Sequence, residues 1–269
     1  MKVTVDGVLV EFPGRTVGEL VEYLGRSEQE LVCVVDGYQC SSETPLQGGE
    51  EVILIPRGQM PPPDRLERML CARHTPGVYE KVKAARVGIA GLGGLGSSIA
   101  LALARTGVGT LHLVDFDTVE PSNLNRQQYR ICHLGMSKVQ ALKEEIAEVN
   151  PAVTVLEDEV RLTADNAAAV FSNDPIVCEA LDGAEIKAML VNALLTGAKD
   201  TVVVSGSGMA GTDSANSVMT RRFGRRLYVC GDGQTQAERG RGLMAPRVMV
   251  CAGHQANMVL RLILGETEG

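Results

Sequence analysis

Arg86-Val87-Gly88-Ile89-Ala90-Gly91-Leu92-Gly93-Gly94-Leu95-Gly96 is the stretch that decides the fold. Its first five residues form a short apolar run that reads as a buried strand. The next six carry Gly91-x-Gly93-x-x-Gly96. Ser97 to Arg105, rich in Ala and Leu, reads as a helix that Gly107-Val108-Gly109 stops, and Thr110-Leu111-His112-Leu113-Val114-Asp115 is a second strand. Strand, glycine turn, helix and strand make a βαβ unit. In that context glycines let the backbone approach phosphates at a helix N-terminus. Asp115 closes the second strand, where a carboxylate can hold a ribose hydroxyl. A nucleotide is expected, of a kind these residues alone leave open.

The pattern continues outward. A helix is expected from about 137 to 149, with apolar residues at 139, 142, 146 and 149. Strands are expected at 153–156, 175–179, 201–205, 217–221, 226–230 and 247–251, and helices near 164–171, 183–195 and 253–264. Alternating strands and helices predict an α/β, Rossmann-like, mostly parallel sheet with helices on both faces.

Upstream, Pro61-Pro62-Pro63 cannot continue a helix or an inner strand and marks a stiff linker. Before it, Val3, Val5, Val8, Val10 and Phe12 alternate around Asp6-Gly7, a hairpin signal. Thr16 and Glu19 form a capping-box pair for a short helix. Leu31–Val35, a turn at Asp36-Gly37, and Glu51–Ile55 complete a ubiquitin-like β-grasp layout. The expected domains are a small β-grasp domain at 1–58, a linker at 59–63, and a nucleotide-binding domain at 64–269.

Composition narrows the function. Hydrophobic residues make up 45% of 269, enough for full cores. No apolar run nears the roughly 20 residues of a membrane span, and no signal segment opens the chain, so a soluble cytoplasmic protein is expected. Net charge is −7, and residues 1–58 hold 4 basic against 10 acidic side chains. That argues against a nucleic-acid partner, which needs clustered cations. None of the seven cysteines sits at C-x-x-C spacing, which argues against zinc. Cys178 and Cys251 lie in strand-like runs as small buried residues, and an odd cysteine count fits a reducing compartment.

Ser122-Asn123-Leu124-Asn125-Arg126-Gln127-Gln128 is a donor-rich loop past the second strand, followed by Lys138 at a helix start. Hydride transfer does not need an Arg and a Lys along the phosphate path. Nucleotidyl transfer does, because charge develops on the phosphorus and the departing pyrophosphate. Asp182 follows a strand end, where it could bind Mg²⁺ or cap the next helix.

Gly91 to Gly96, Gly107-Val108-Gly109, Leu113-Val114-Asp115-Phe116-Asp117, Ser122 to Gln127, Lys138 and Asn150-Pro151 together resemble the ThiF/MoeB family, bacterial relatives of ubiquitin-activating enzymes. The likeness covers residues 60–269. Pro246-Arg247-Val248 and His254-Gln255-Ala256-Asn257 resemble the ThiF branch, linked to thiamine biosynthesis, and residues 1–58 resemble its sulfur carrier ThiS. The resemblance implies MgATP-dependent adenylation of the C-terminal glycine of a small Gly-Gly-ending sulfur carrier protein, followed by sulfur transfer from a donor enzyme. It implies that Gly91, Gly93, Gly94 and Gly96 line the phosphates. Asp115, with Asp117 beside it, would hold the ribose side of the nucleotide, while Asn123, Arg126 and Lys138 contact phosphate and Asp182 serves the metal. An arginine crossing a homodimer, Arg73 with Arg68 in reserve, is also implied.

The chain departs from that pattern in three ways. It has no C-x-x-C pair, no Cys between Ser205 and Ser217, and no free Gly-Gly end on its first domain, which continues Ile55-Pro56-Arg57-Gly58-Gln59. Two readings compete with adenylation: an ATP-binding scaffold whose β-grasp unit occupies the carrier site, and a nicotinamide-dependent oxidoreductase.

Overall fold

The computed structural model describes residues 1–198 and 200–268. They divide into two compact units, Met1–Glu80 and Lys81–Gly269.

The first unit begins with β1 (Lys2–Val5) and β2 (Val8–Glu11), then α1 (Val17–Tyr23), β3 (Leu31–Val35), β4 (Tyr38–Cys40), β5 (Glu51–Pro56) and α2 (Pro63–Leu70). Both hairpins turn on Asp-Gly with positive φ at each residue: 49° and 86° at Asp6-Gly7, 47° and 81° at Asp36-Gly37. That pair of values is the type I′ turn whose twist matches its strands. The Thr16/Glu19 capping box closes at 3.3 and 3.1 Å. The sheet order is β2-β1-β5-β3-β4, with β1 and β5 parallel and the other pairs antiparallel. One sheet face buries Val3, Val5, Val52 and Leu54 against Val17, Leu20 and Val21 of α1. The other face, Val34 and Ile53, is closed by Met69 and Ala72. Compactness therefore places the 63–72 segment with the sheet rather than after a linker, and Pro63 is the first residue of α2.

The second unit contains α3 (Tyr79–Ala84, which starts at the junction), β6 (Arg86–Ala90), α4 (Gly94–Thr106), β7 (Thr110–Val114) and α5 (Lys138–Val149). It continues with β8 (Thr154–Asp158), α6 (Ala167–Val170), β9 (Ile176–Glu179), α7 (Ala184–Gly197), β10 (Val202–Gly206), β11 (Met219–Phe223), β12 (Leu227–Gly231) and α8 (Ala245–Leu264). The seven-stranded order is β11-β12-β10-β9-β6-β7-β8, parallel except for the β11–β12 pair. The α/β architecture expected from the sequence is therefore present. On one face Ala90, Val114, Val177 and Val203 pack against Phe171, Leu190 and Leu194. On the other, Ile89 meets α4 at Gly96.

One expected strand is a helix. Val248-Met249-Val250-Cys251 lies inside α8, where Val248, Cys251, Ala252, Gln255, Ala256 and Val259 form its buried stripe. The run is too short for periodicity to separate strand from helix, and Pro246 in the first turn is a helix-start residue. Cys178 and Cys251 are both fully buried, in β9 and α8 respectively. Burial pushes the Cys251 thiol up to about 12.

The chain lays β6, β7 and β8 outward in one direction, then returns to set β9 against the free side of β6. The reversal lies between β6 and β9. In open α/β sheets, ligands bind at the strand C-termini beside such a reversal.

Candidate functional site

The loop after β6 and the loop after β9 meet at that reversal. Gly91 has φ +87°, and a Cβ there would lie 2.9 Å from the Ala180 carbonyl oxygen. A Cβ on Gly96 would come within 1.8 Å of the Gly91 oxygen. The outer glycines thus serve the turn and the close helix packing. Gly93 is the N-cap of α4, and Gly94 borders a cavity of about 490 Å³ that Arg126, Asp182, Lys187, Ser207 and Thr235 also line.

Asp115 follows β7 and is nearly buried. Its carboxylate accepts from the backbone N–H of Leu92 at 2.6 Å and of Asp117 at 2.9 Å, so it ties the glycine loop to the β7 end. Lys138 is buried and donates to Asp117 at 2.9 Å, and its backbone N–H bonds the Asp117 carbonyl. Lys138 does not line the cavity. The 122–130 loop is pinned onto the glycine loop. Gln128 donates from its backbone to Ser97 Oγ at 3.1 Å and from its side chain to Ser98 Oγ at 3.2 Å. Tyr129 donates its hydroxyl to the Leu92 carbonyl at 2.8 Å. Burial, with the charges of Asp115 and Asp117, raises that phenol's pKa and keeps it a donor. Asn123 accepts from Glu120 N–H at 3.0 Å and so shapes this loop. Arg126 donates to Asn125 and to the Ser122 carbonyl, and its side chain lies against Gly94. Gln127, beside Gly93, holds a buried Oε1 without a hydrogen-bond partner. Among the described residues, none satisfies this polar atom beside the helix N-terminus.

Asp182 is exposed on the cavity rim. It does not cap α7, whose N-cap is Gly183 with no side-chain bond. Arg73 and Arg68 belong to the first unit. Arg73 bonds Gln39, and Arg68 pairs with Glu51 at 3.3 Å and lies 5.7 Å from the Tyr79 ring centre. The site residues in the second unit therefore surround one crevice by two routes: Gly94, Arg126 and Asp182 line it, while Asp115, Asp117, Asn123 and Lys138 brace the loops behind it.

Sequence reasoning missed two groups. The first is Glu179, Lys187 and Ser205. Glu179 is fully buried at the end of β9. It accepts from Lys187 Nζ at 3.0 and 3.1 Å, from Ser205 Oγ at 2.6 Å and from Leu181 N–H at 2.8 Å. An acid closing the apolar run Ile176-Val177-Cys178 was the available signal, because a buried charge needs partners. The second is a clamp on the far wall. Buried Arg247 donates to the carbonyls of Asp213 and Ser214 at 2.7 Å each, to Ser217 Oγ at 3.1 Å, and to Asp232 at 2.6 Å. Burial would raise the Asp232 pKa, but donors from Thr235, Gln234 and Arg247 outweigh it and hold the carboxyl well below the usual range. The clamp fixes the loops that supply Ser207 and Thr235 to the cavity.

The crevice lies at the strand C-termini of a doubly wound α/β sheet, with Arg126 and Lys187 as cations on its wall. The ThiF family profile matches residues 67–269, and the chain belongs to that family. Molybdopterin-synthase adenylyltransferase of Salmonella typhimurium is 29% identical over 194 residues, 68% of this chain and 75% of the relative. The probable adenylyltransferase/sulfurtransferase MoeZ of Mycobacterium tuberculosis is 36% identical over 124 residues, 46% of this chain. That match spans only 32% of MoeZ. Among solved structures, Escherichia coli tRNA N6-threonylcarbamoyladenosine dehydratase, TcdA, in complex with ATP, aligns with TM-score 0.66 at 20% identity, over 73% of this chain and 93% of that one. This likeness concerns the fold alone. Among the described residues, no helix is long and apolar enough to cross a membrane.

Proposed function

We propose that the protein adenylates the C-terminal glycine of a small Gly-Gly-ending sulfur carrier, using ATP, as a cytoplasmic homodimer of the ThiF branch serving thiamine biosynthesis. The observation that carries this reading is the crevice itself: the N-terminus of α4, Arg126, Asp182 and Lys187 around one cavity. The relatives named adenylyltransferases support it. The five-stranded mixed sheet of the first unit supports a β-grasp, ThiS-like domain at 1–58, extended by the 63–72 segment that packs on its sheet, with the catalytic domain in the second unit.

The carrier's carboxylate is ionised at neutral pH and needs no general base. One of its oxygens attacks the α-phosphorus and forms an O–P bond. The bond from that phosphorus to the β-phosphate bridging oxygen breaks, and its electron pair leaves with pyrophosphate. The chain's task is to hold nucleophile and phosphorus in line at about 3 Å and to offset their mutual repulsion. The amides at the start of α4, with Gly91, Gly93, Gly94 and Gly96 allowing close approach, receive phosphate oxygens. Arg126 offsets developing charge, and Asn123 and Lys138 hold the loops that aim it. Asp115 and Asp117 set the ribose side.

Asp182 fits a metal role, because its carboxylate is exposed on the rim that Gly94 and Arg126 share. Mg²⁺ held there would add positive charge beside the phosphates. Arg73, or Arg68, is the candidate to act across the dimer, and a separate donor enzyme supplies sulfur. Radiolabelled ATP–pyrophosphate exchange tests the reading. Exchange should require an added carrier ending in Gly-Gly. Exchange without carrier, or none with it, would overturn the proposal.

A further inference from the structure

We propose that Lys187 receives the carboxylate of the carrier's terminal glycine, and that Glu179 is the positioning residue that holds it there. This rests on the adenylation reading. The reaction joins two anions, and the cavity offers two cationic side chains in different settings. Arg126 lies against Gly94 at the start of α4, where phosphate is expected. Lys187 stands on the first turns of α7, above the β9 end. Its own element gives no reason to hold a cation near a helix N-terminus, where the dipole disfavours one.

The reason lies in Glu179. This carboxylate has no exposed surface and four donated hydrogen bonds, two of them from Lys187. Gln255 fixes the strand end as well: its side-chain amide donates to the Glu179 carbonyl at 3.1 Å and to the Val204 carbonyl at 3.0 Å. Glu179 is thus rigid, and it pins the ammonium at the cavity wall with 20% of the Lys187 side chain still exposed. An ammonium has three N–H donors. Two are spent on Glu179, which leaves one for a small carboxylate in the cavity that Lys187 lines.

The placement also fits the narrow nucleophile. Gly183, Gly206, Gly208 and Gly233 line the same cavity. At Gly208, with φ +82°, a Cβ would fall 2.0 Å from Asp232 Oδ1. A wall built from glycines admits a thin chain end such as Gly-Gly.

The charge history separates this role from that of Arg126. In a loose phosphoryl-transfer transition state the new O–P bond is barely formed, so the carboxylate keeps most of its charge and a contact to it holds ground and transition states about equally. Such a contact lowers the KM for the carrier and does little for kcat. Charge on the phosphates grows instead, so Arg126 acts on kcat.

The test measures carrier-dependent ATP–pyrophosphate exchange with a purified ThiS protein ending in Gly-Gly, and ATP affinity by calorimetry. Lys187→Met should raise the KM for the carrier about 10- to 100-fold, the scale of a charged hydrogen bond. It should leave ATP affinity and kcat within about threefold. Lys187→Arg, which keeps a cation at the wall, should restore most of the carrier affinity, and the split between carrier KM and ATP affinity in Lys187→Met is what a merely structural role would not produce. Glu179→Gln should raise the carrier KM in the same direction. An unchanged carrier KM in Lys187→Met, or an equal loss of ATP affinity, would overturn the assignment while leaving adenylation standing. No exchange by the unsubstituted protein would overturn both.

Discussion

Replacing Gly96 by Ala sets two effects against each other inside α4. In an ordinary helix, Gly to Ala stabilises by about 1 kcal/mol. Here the new Cβ would lie 1.8 Å from the Gly91 carbonyl oxygen, against the 3.0 Å that real Cβ contacts respect. The obstacle is backbone and cannot rotate away, so α4 and the glycine turn must separate by roughly 1.2 Å, the difference between these two values. Overpacking of this kind costs about 1–3 kcal/mol. With an immovable partner the upper part of that range applies, and the net loss after the helix gain is about 1–2 kcal/mol. In a chain of this size that lowers Tm by roughly 2–8 °C. The functional effect is larger, because a misplacement near 1 Å costs about 10²-fold in rate. Gly253→Ala is the internal control. Gly253 lies in α8 with nothing within 4 Å of its Cβ position, so Ala there should raise stability by about 0.5–1 kcal/mol. Thermal unfolding and ATP affinity, measured on both variants, decide the matter. A Gly96→Ala protein as stable as Gly253→Ala, with undiminished ATP binding, would refute the packing argument.

Arg126→Ala should lower carrier adenylation by about 10²-fold with a smaller loss of ATP affinity, as for other preorganised contacts to developing charge; equal losses would mark a ground-state role only. Arg247→Met should cost about 2–4 kcal/mol in urea unfolding, because it removes the cation paired with Asp232 and the donor shared by two loop carbonyls; a loss below about 1 kcal/mol would contradict the clamp. His112 sits between Asp174 at 2.6 Å and Asp158 at 3.0 Å. Burial lowers its pKa, but hydrogen bonds and charges from these two carboxylates outweigh that and raise it. Its stabilisation is then present in full below about pH 6.5 and lost as pH rises through the higher folded value. Unfolding free energy should therefore fall with rising pH more steeply in the wild type than in His112→Asn, and parallel profiles would refute this.

The parts of the fold legible in sequence were those with local causes. Asp-Gly turns, the Thr16/Glu19 cap and the glycine turn after β6 each act within a few residues, and each stands where the pattern placed it. The 248–251 run misled because four apolar residues fit either period, and only the longer stripe through Val259 distinguishes a helix. The packing of Met69 and Ala72 on Val34 and Ile53 is invisible in sequence, because it joins residues some 16 to 38 positions apart. The site divides in the same way. Gly94, Arg126 and Asp182 belong to contiguous motifs and line the crevice. The sequence pattern implies a phosphate contact for Lys138, and in the structure its ammonium pairs with Asp117. Lys187 was missed because its meaning depends on Glu179, eight residues earlier on a different element.

Mass spectrometry of a ThiS carrier after incubation with the protein and MgATP addresses the central claim most directly. The account predicts that the carrier gains one adenylate at its terminal glycine, and that the chain's own first unit, lacking a free Gly-Gly end, gains none. An unmodified carrier, or adenylate on residues 1–58, would contradict it.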